Sequence, residues 1–256
     1  MTRPTAAMLV IGDEILSGRT REANAAHLAG VMTEIGIALR EIRVVPDEQE
    51  AIVAAVNEMR KRVSYLFTSG GIGPTHDDIT ADSIAAAFGV PIGVRADARA
   101  ILEAYYSAGD LNDARLRMAR IPDGAELIDN PLSQAPGFVL GNVHVMAGVP
   151  AIFEVMLAGL KPRLKGGPAV LSHSFRVPVP EGNIAATLGA LAESYPGVSI
   201  GCYPFYRGGM GTTLVLRSDR PEVLSKVAAL LRDQLTVMTS QIDETPPDPL
   251  IQSGEV

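Results

Sequence analysis

Within its first 91 residues the chain repeats one pattern three times: a short apolar run, a polar loop, then apolar residues at helical spacing. "AAMLVIG" (Ala6 to Gly12) ends in glycine and reads as a buried strand. After "DEILSGRT", residues Leu28, Val31, Met32 and Ile35 fall on one helical face, with Gly36 as the stop. "LREIRVV" alternates as a second strand, and Ile52, Val53, Val56 and Met59 mark the next helix. "VSYLFTS" is a third strand, and Thr80 is expected to N-cap a helix running to Phe88, closed by Gly89 and Pro91. Strands separated by helices build a parallel sheet covered on both faces. The expected fold is three-layer α/β: a mostly parallel sheet flanked by helices.

Further along, "GFVLGNVHVMAGVP" reads as a hairpin turning at Gly141 and Asn142. Pro150 suits the first position of a helix carrying Phe153, Met156, Leu157, Leu160 and Leu164. "KPRLKGGP" looks like a linker. Beyond it come a strand, a helix, two strands and a helix, a small α+β module. The expected boundaries are residues 1–168, 169–238, and an acidic, proline-rich tail over 239–256 that reads as flexible.

Composition narrows the function. With 47% hydrophobic but only 5% aromatic residues and no Trp, the core has to be aliphatic. A formal net charge of −7 argues against a nucleic-acid partner held by general electrostatics. The "RGGMGTT" stretch has the Gly-x-x-Gly spacing of an RNA-binding loop at Gly208 to Gly211, but it precedes a strand, so a hairpin turn is expected. One cysteine, Cys202, rules out an intramolecular disulfide and any zinc site needing two thiolates. The N-terminus lacks the long apolar run of a signal peptide, and no stretch approaches the roughly 18 apolar residues of a membrane span. A soluble cytoplasmic protein with no membrane partner is expected.

The chemistry concentrates in "TSGGIGPTHDDIT". Ligands of parallel sheets bind beyond the carboxyl ends of the strands, where this loop lies. Gly70, Gly71 and Gly73 remove side chains that would keep backbone N–H groups from an anion, Pro74 stiffens the loop, and Thr68, Ser69 and Thr75 add hydroxyls. A tight strand-to-helix connection would use the same glycines for geometry alone. Asp77 and Asp78 sit beside this stretch, and a divalent metal between carboxylate and phosphate would reconcile the like charges. Helix capping by Asp78, with Asp77 solvated, is the other reading. Asp13 and Glu14 follow the first strand, with Ser17 close behind, and Asp47 and Glu48 follow the second. Each pair alone fits a helix N-terminus; together they converge on one rim.

In order and spacing, "GDEILSGRTREANAAHLA", "VPDEQEAI", "TSGGIGPTHDDITADSIA" and "NPLSQAPGF" resemble the MoaB/MogA-like molybdopterin-binding domain, in the form found at the N-terminus of competence/damage-inducible protein A (CinA). The likeness covers about residues 5 to 165, and the glycine-loop spelling is also similar to the corresponding domain of eukaryotic FAD synthases. It implies that Asp47 and Asp78 match the family's two essential aspartates. It also implies metal-dependent hydrolysis of a nucleotide pyrophosphate such as ADP-ribose or FAD, with adenylylation of molybdopterin or simple retention of a nucleotide or pterin as alternatives. Two positions depart from the family: Ala147 stands for a proline, and "SQAPG" for Gly-Thr-Ala-Pro-Gly. The amidohydrolase domain of full-length CinA is not matched, so deamidation of nicotinamide mononucleotide is not expected.

On that reading Asp47 and Asp78, with Asp77, hold a divalent metal of the magnesium, cobalt or manganese type, potassium being a further candidate. Ser69, Gly70, Gly71, Gly73, Pro74 and Thr75 contact phosphate, and Asp13, Glu14 and Ser17 complete the ligand site. The partner is a small nucleotide or pterin, and a homo-oligomer, dimer or trimer, is expected. His76 is either a phosphate donor or a turn residue. His27, His144 and His173 read as structural, Cys202 as an unreactive core thiol, and Arg115 and Arg117 as solvated charge.

Overall fold

Seven uncharged residues, Thr5–Ile11, form β1, the strand around which the first of two units is built. Ala7, Leu9 and Ile11 join one buried cluster, and Ala6, Met8 and Val10 join another on the opposite face, as the two-residue period of a strand requires. The computed structural model describes residues 3–107, 109–206 and 209–248 and divides into Met1–Gly167 and Pro168–Val256.

In the first unit a short α1 (Asp13–Leu16) and then α2 (Asn24–Glu34) lead to β2 (Ala38–Val45), and α3 (Gln49–Met59) leads to β3 (Tyr65–Ser69). β2 and β3 flank β1, both parallel to it. α2 buries Leu28 and Met32 on one face of the sheet, while α3 buries Ile52, Val56 and Met59 on the other. The chain continues through α4 (Thr80–Phe88), β4 (Ile92–Val94), α5 (Ala96–Tyr105), α6 (Asp113–Leu116), β5 (Arg120–Pro122), β6 (Glu126–Ile128), β7 (Gly137–Leu140) and β8 (Val143–Met146). The main sheet has the order β2-β1-β3-β8-β7-β6, and β4 with β5 forms a separate ribbon. β8 is parallel to β3, and β6 and β7 add antiparallel pairs. α7 (Pro150–Leu160) starts on its proline and packs Phe153, Met156, Leu157 and Leu160 onto the α2 side. The three expected layers are present, around a mostly parallel sheet.

Thr80 begins α4 but does not cap it with its side chain. Its hydroxyl donates instead to the Gly70 carbonyl at 3.0 Å, and its amide to the Gly71 carbonyl at 2.9 Å. The helix start is thereby tied to the loop that precedes it.

His144 on β8 is buried between the rings of Tyr65 and Phe67. Burial holds its pKa down to about 4, from an ordinary 6.5. The unfolded chain therefore binds the extra proton first as pH falls, so the stabilisation is complete above about 6.5 and lost on the way to about 4. The expected loss in the first unit is about 2 to 3 kcal/mol, measurable as faster hydrogen exchange at the β3 and β8 amides. A His144→Phe variant is expected to lose this part of the pH dependence.

The second unit comprises β9 (Leu171–Val177), α8 (Glu181–Ser194), β10 (Ser199–Phe205), β11 (Gly211–Ser218), α9 (Pro221–Met238) and β12 (Asp243–Asp248). Its antiparallel sheet runs β10-β11-β9-β12. Phe175, Val177, Leu214, Leu216, Leu224 and Leu231 form its core with the helices. β10 and β11 pair as a hairpin; Gly208 of the Gly-x-x-Gly stretch lies outside the described residues. The expectation of a flexible tail over 239–256 is corrected at β12, which pairs with β9. The reason is electrostatic: Glu244 accepts from Arg232 Nε at 2.7 Å and from the buried His173 at 2.6 Å. Arg232, then His173, hold the Glu244 carboxyl down to about 2. Residues 249–256 lie outside the description. Among the described residues no helix is long and apolar enough to cross a membrane.

Candidate functional site

The order β2-β1-β3 makes the chain reverse its winding beside β1, so the carboxyl ends of β1 and β3 open onto a shared crevice. The loops leaving β1, β2 and β3 carry the acids and glycines singled out in the sequence.

Asp13 and Glu14, both exposed, form the first turn after β1. Ser17 closes that turn through its amide, 2.8 Å from the Asp13 carbonyl. Half-buried Asp47 follows β2, and its Oδ2 accepts the Asp13 amide at 2.9 Å. Burial above all pushes the Asp47 carboxyl above its ordinary value; the Asp13 amide opposes this, and the charges of Asp13, Glu14 and Asp77 add to it. The loops after β1 and β3 thus both act on the carboxylate that follows β2.

Asp78 is held differently. Its Oδ2 accepts both the Thr75 amide at 2.8 Å and the Thr75 hydroxyl at 2.5 Å, closing the turn that follows Pro74. It is not among the charges acting on Asp47, whereas Asp77 is. His76 is fully exposed on this turn, 3.8 Å from Asp77.

The loop glycines are needed for packing. A Cβ on Gly70, at φ 105°, would lie 2.1 Å from the Ile11 carbonyl oxygen. One on Gly71 would meet the Thr80 hydroxyl at 2.2 Å, and one on Gly73 the Asp78 carboxylate at 2.6 Å. Close packing does not exhaust their part, because the Gly71, Ile72 and Gly73 amides find no acceptor among the described residues. Three successive N–H groups left open in this way suit an anion. The Gly70 amide is already used by the Met146 carbonyl, at 3.3 Å.

Two residues gain importance from the structure. Asn24, 3% exposed, donates through Nδ2 to Ser69 Oγ and to the Gly148 carbonyl, both at 2.8 Å, pinning the loop from beneath. Its signal was a polar residue directly before the apolar Ala25 and Leu28 face of the helix. Arg117 is not simply a solvated charge. It lines a shallow cleft with Gly71, Ile72, Gly73, Asp78, Asp82 and Arg120, together with the apolar Met118, Ile121, Pro136 and Phe138.

No three carboxylate, imidazole or thiol groups among the described residues converge as a ready-made metal cage. The open acidic rim around Asp47 still fits a hard divalent cation that takes most of its ligands from water and phosphate.

Residues 7–166 match the family described as "Probable molybdopterin binding domain". The chain belongs to that family. Residues 169–242 match the middle domain of FAD synthase. Within the molybdopterin-binding domain family the chain is of CinA type. It is 34% identical to a solved CinA structure from Thermoplasma acidophilum, a protein described as of unknown function. That likeness covers 63% of this chain and 98% of the other, with a TM-score of 0.60. It is 31% identical over 90% of its length to a CinA-like protein of Desulfosudis oleivorans, and 33% identical over 89% to one of Gemmatimonas aurantiaca. The chain spans 56% and 58% of those two proteins.

Proposed function

We propose that the chain binds a nucleotide pyrophosphate, of the ADP-ribose or FAD class, and hydrolyses its phosphoanhydride with the help of a divalent cation. The observation that carries this reading is the state of Asp47: a half-buried carboxyl pushed upward by burial and by three acids of the loops after β1 and β3, the second of which also carries the open amides. Repulsion of that kind is relieved by a cation, and the amides offer the matching anion site. The match of residues 169–242 to the FAD synthase middle domain favours a dinucleotide over a simple phosphate ester.

When bound, the cation neutralises charge on the diphosphate and favours departure of the leaving phosphate. Asp47 and Asp77 would hold it, with Asp78 acting through the Thr75 turn or as a further ligand. The Gly71 and Gly73 amides orient the diphosphate. Asp13 or Glu14 orients the attacking water, whose oxygen bonds to phosphorus as the bridging P–O bond breaks, and accepts its proton.

A second reading, binding or adenylylation of a pterin, is favoured by the description of the family that residues 7–166 match. A screen of ADP-ribose, FAD and ATP against magnesium, manganese and cobalt, with AMP as readout, separates the two. AMP release from a dinucleotide is expected, falling about tenfold or more in Asp78→Asn. Intact dinucleotides under every metal would remove the hydrolase reading, and full turnover by a folded Asp78→Asn variant would remove Asp78 from the site. Calorimetry with molybdopterin then tests the alternative.

A further inference from the structure

The cleft beside the glycine loop is lined by two arginines and two aspartates as well as by the loop itself. Gly71, Ile72 and Gly73, whose amides are open, line it. So do two arginines from the segment leading into β5. Arg120 is neutralised by an ion pair with Asp82. Arg117 has no carboxylate partner among the described residues; its hydrogen bond there is a long one of 3.3 Å from Nη2 to the Asp78 carbonyl. Its Nε, like that of Arg120, is buried and finds no acceptor there. A guanidinium without a carboxylate partner offers its outer N–H groups to an anion.

We infer that Arg117 is a specificity-determining contact for a second anionic group, so that the cleft selects linked phosphates over a single one. This rests on the anion-binding reading above and deepens it: one phosphate lies on the loop amides and the next on Arg117. Asp82 is taken up by Arg120, while the Thr75 hydrogen bonds orient the Asp78 carboxylate without removing its charge. Of the two arginines in the lining, Arg117 is therefore the one whose outer N–H groups no carboxylate among the described residues takes.

The test is calorimetric titration of the full chain with inorganic pyrophosphate and with orthophosphate, in magnesium at matched ionic strength. The wild-type chain is expected to bind pyrophosphate at least about tenfold tighter. Arg117→Gln should erase most of that preference while changing orthophosphate affinity by no more than about twofold. Its melting temperature without ligand should be unchanged, which a purely structural arginine would not permit. If Arg117→Gln does not fold, Arg117→Met keeps the buried stem and is read in the same way. An undiminished preference in the variant, or none in the wild type, overturns the inference. The hydrolase reading stands or falls separately. A chain that cleaves no nucleotide yet shows the Arg117-dependent preference loses only hydrolysis. One that cleaves dinucleotides with a pyrophosphate affinity indifferent to Arg117 loses only this inference.

Discussion

Replacing Gly70 with alanine is expected to destabilise the first unit by about 4 kcal/mol and to abolish ligand binding with it. Two causes add. The residue sits at φ 105°, in the region that side chains avoid, and its new methyl would stand 2.1 Å from the Ile11 carbonyl oxygen. That oxygen belongs to β1, the strand between β2 and β3, so it has little room to yield. Relief would have to come from the loop, which Thr80 and Asn24 hold in place. Gly30→Ala on α2 is the control: nothing lies within 4 Å of its added Cβ. There the better helix former should stabilise by up to about 1 kcal/mol. Urea unfolding followed by hydrogen exchange in β1 and β3 compares the two. A Gly70→Ala chain as stable as the parent would mean that the loop is not held as described.

Asp47→Asn should lower turnover by about 100-fold or more, as expected when about 3 kcal/mol of transition-state stabilisation is lost. The accompanying stability change identifies the cause. Burial raises this carboxyl above its ordinary 3.8 in the folded chain. Between the unfolded and folded values the folded state binds more protons, so stability falls as pH rises through that window. At neutral pH the ionised Asp47 therefore works against folding. An asparagine still offers an oxygen to the Asp13 amide without the charge, so the variant should melt no lower than the parent, and higher at neutral pH. The difference should disappear below about pH 3.8. A variant that loses both turnover and stability would mark Asp47 as structural.

The strands and crossovers of the first unit were legible because their apolar runs are long enough to show a period. β1 and α3 can be read almost residue by residue. The segment from β4 to β6 was not, since strands of three residues such as Ile92–Val94 carry no periodic signal. That gap concealed Arg117, whose meaning depends on a wall built by residues some forty positions earlier in the chain. β12 was misread for a different reason. Its "DETPP" has the composition of a disordered tail, and only the distant pair Arg232 and His173 holds Glu244 in a sheet. The acids after β1 and β2 were visible at once. That Asp77 rather than Asp78 acts on Asp47 was not, because adjacent residues differ only in direction, and the Thr75 turn sets that direction.

The close approach of Gly148 to Gly70, where an added carbon would stand 3.1 Å from the other's Cα, reaches beyond local packing. A side chain at Gly148 is admitted only if the Gly70 backbone yields by a few tenths of an ångström, and Gly70 has the Ile11 carbonyl behind it. Anyone wishing to retune what this protein accepts will find little slack on that side. Arg117, which takes no part in that contact and has no ion pair to break among the described residues, is the freer place to begin.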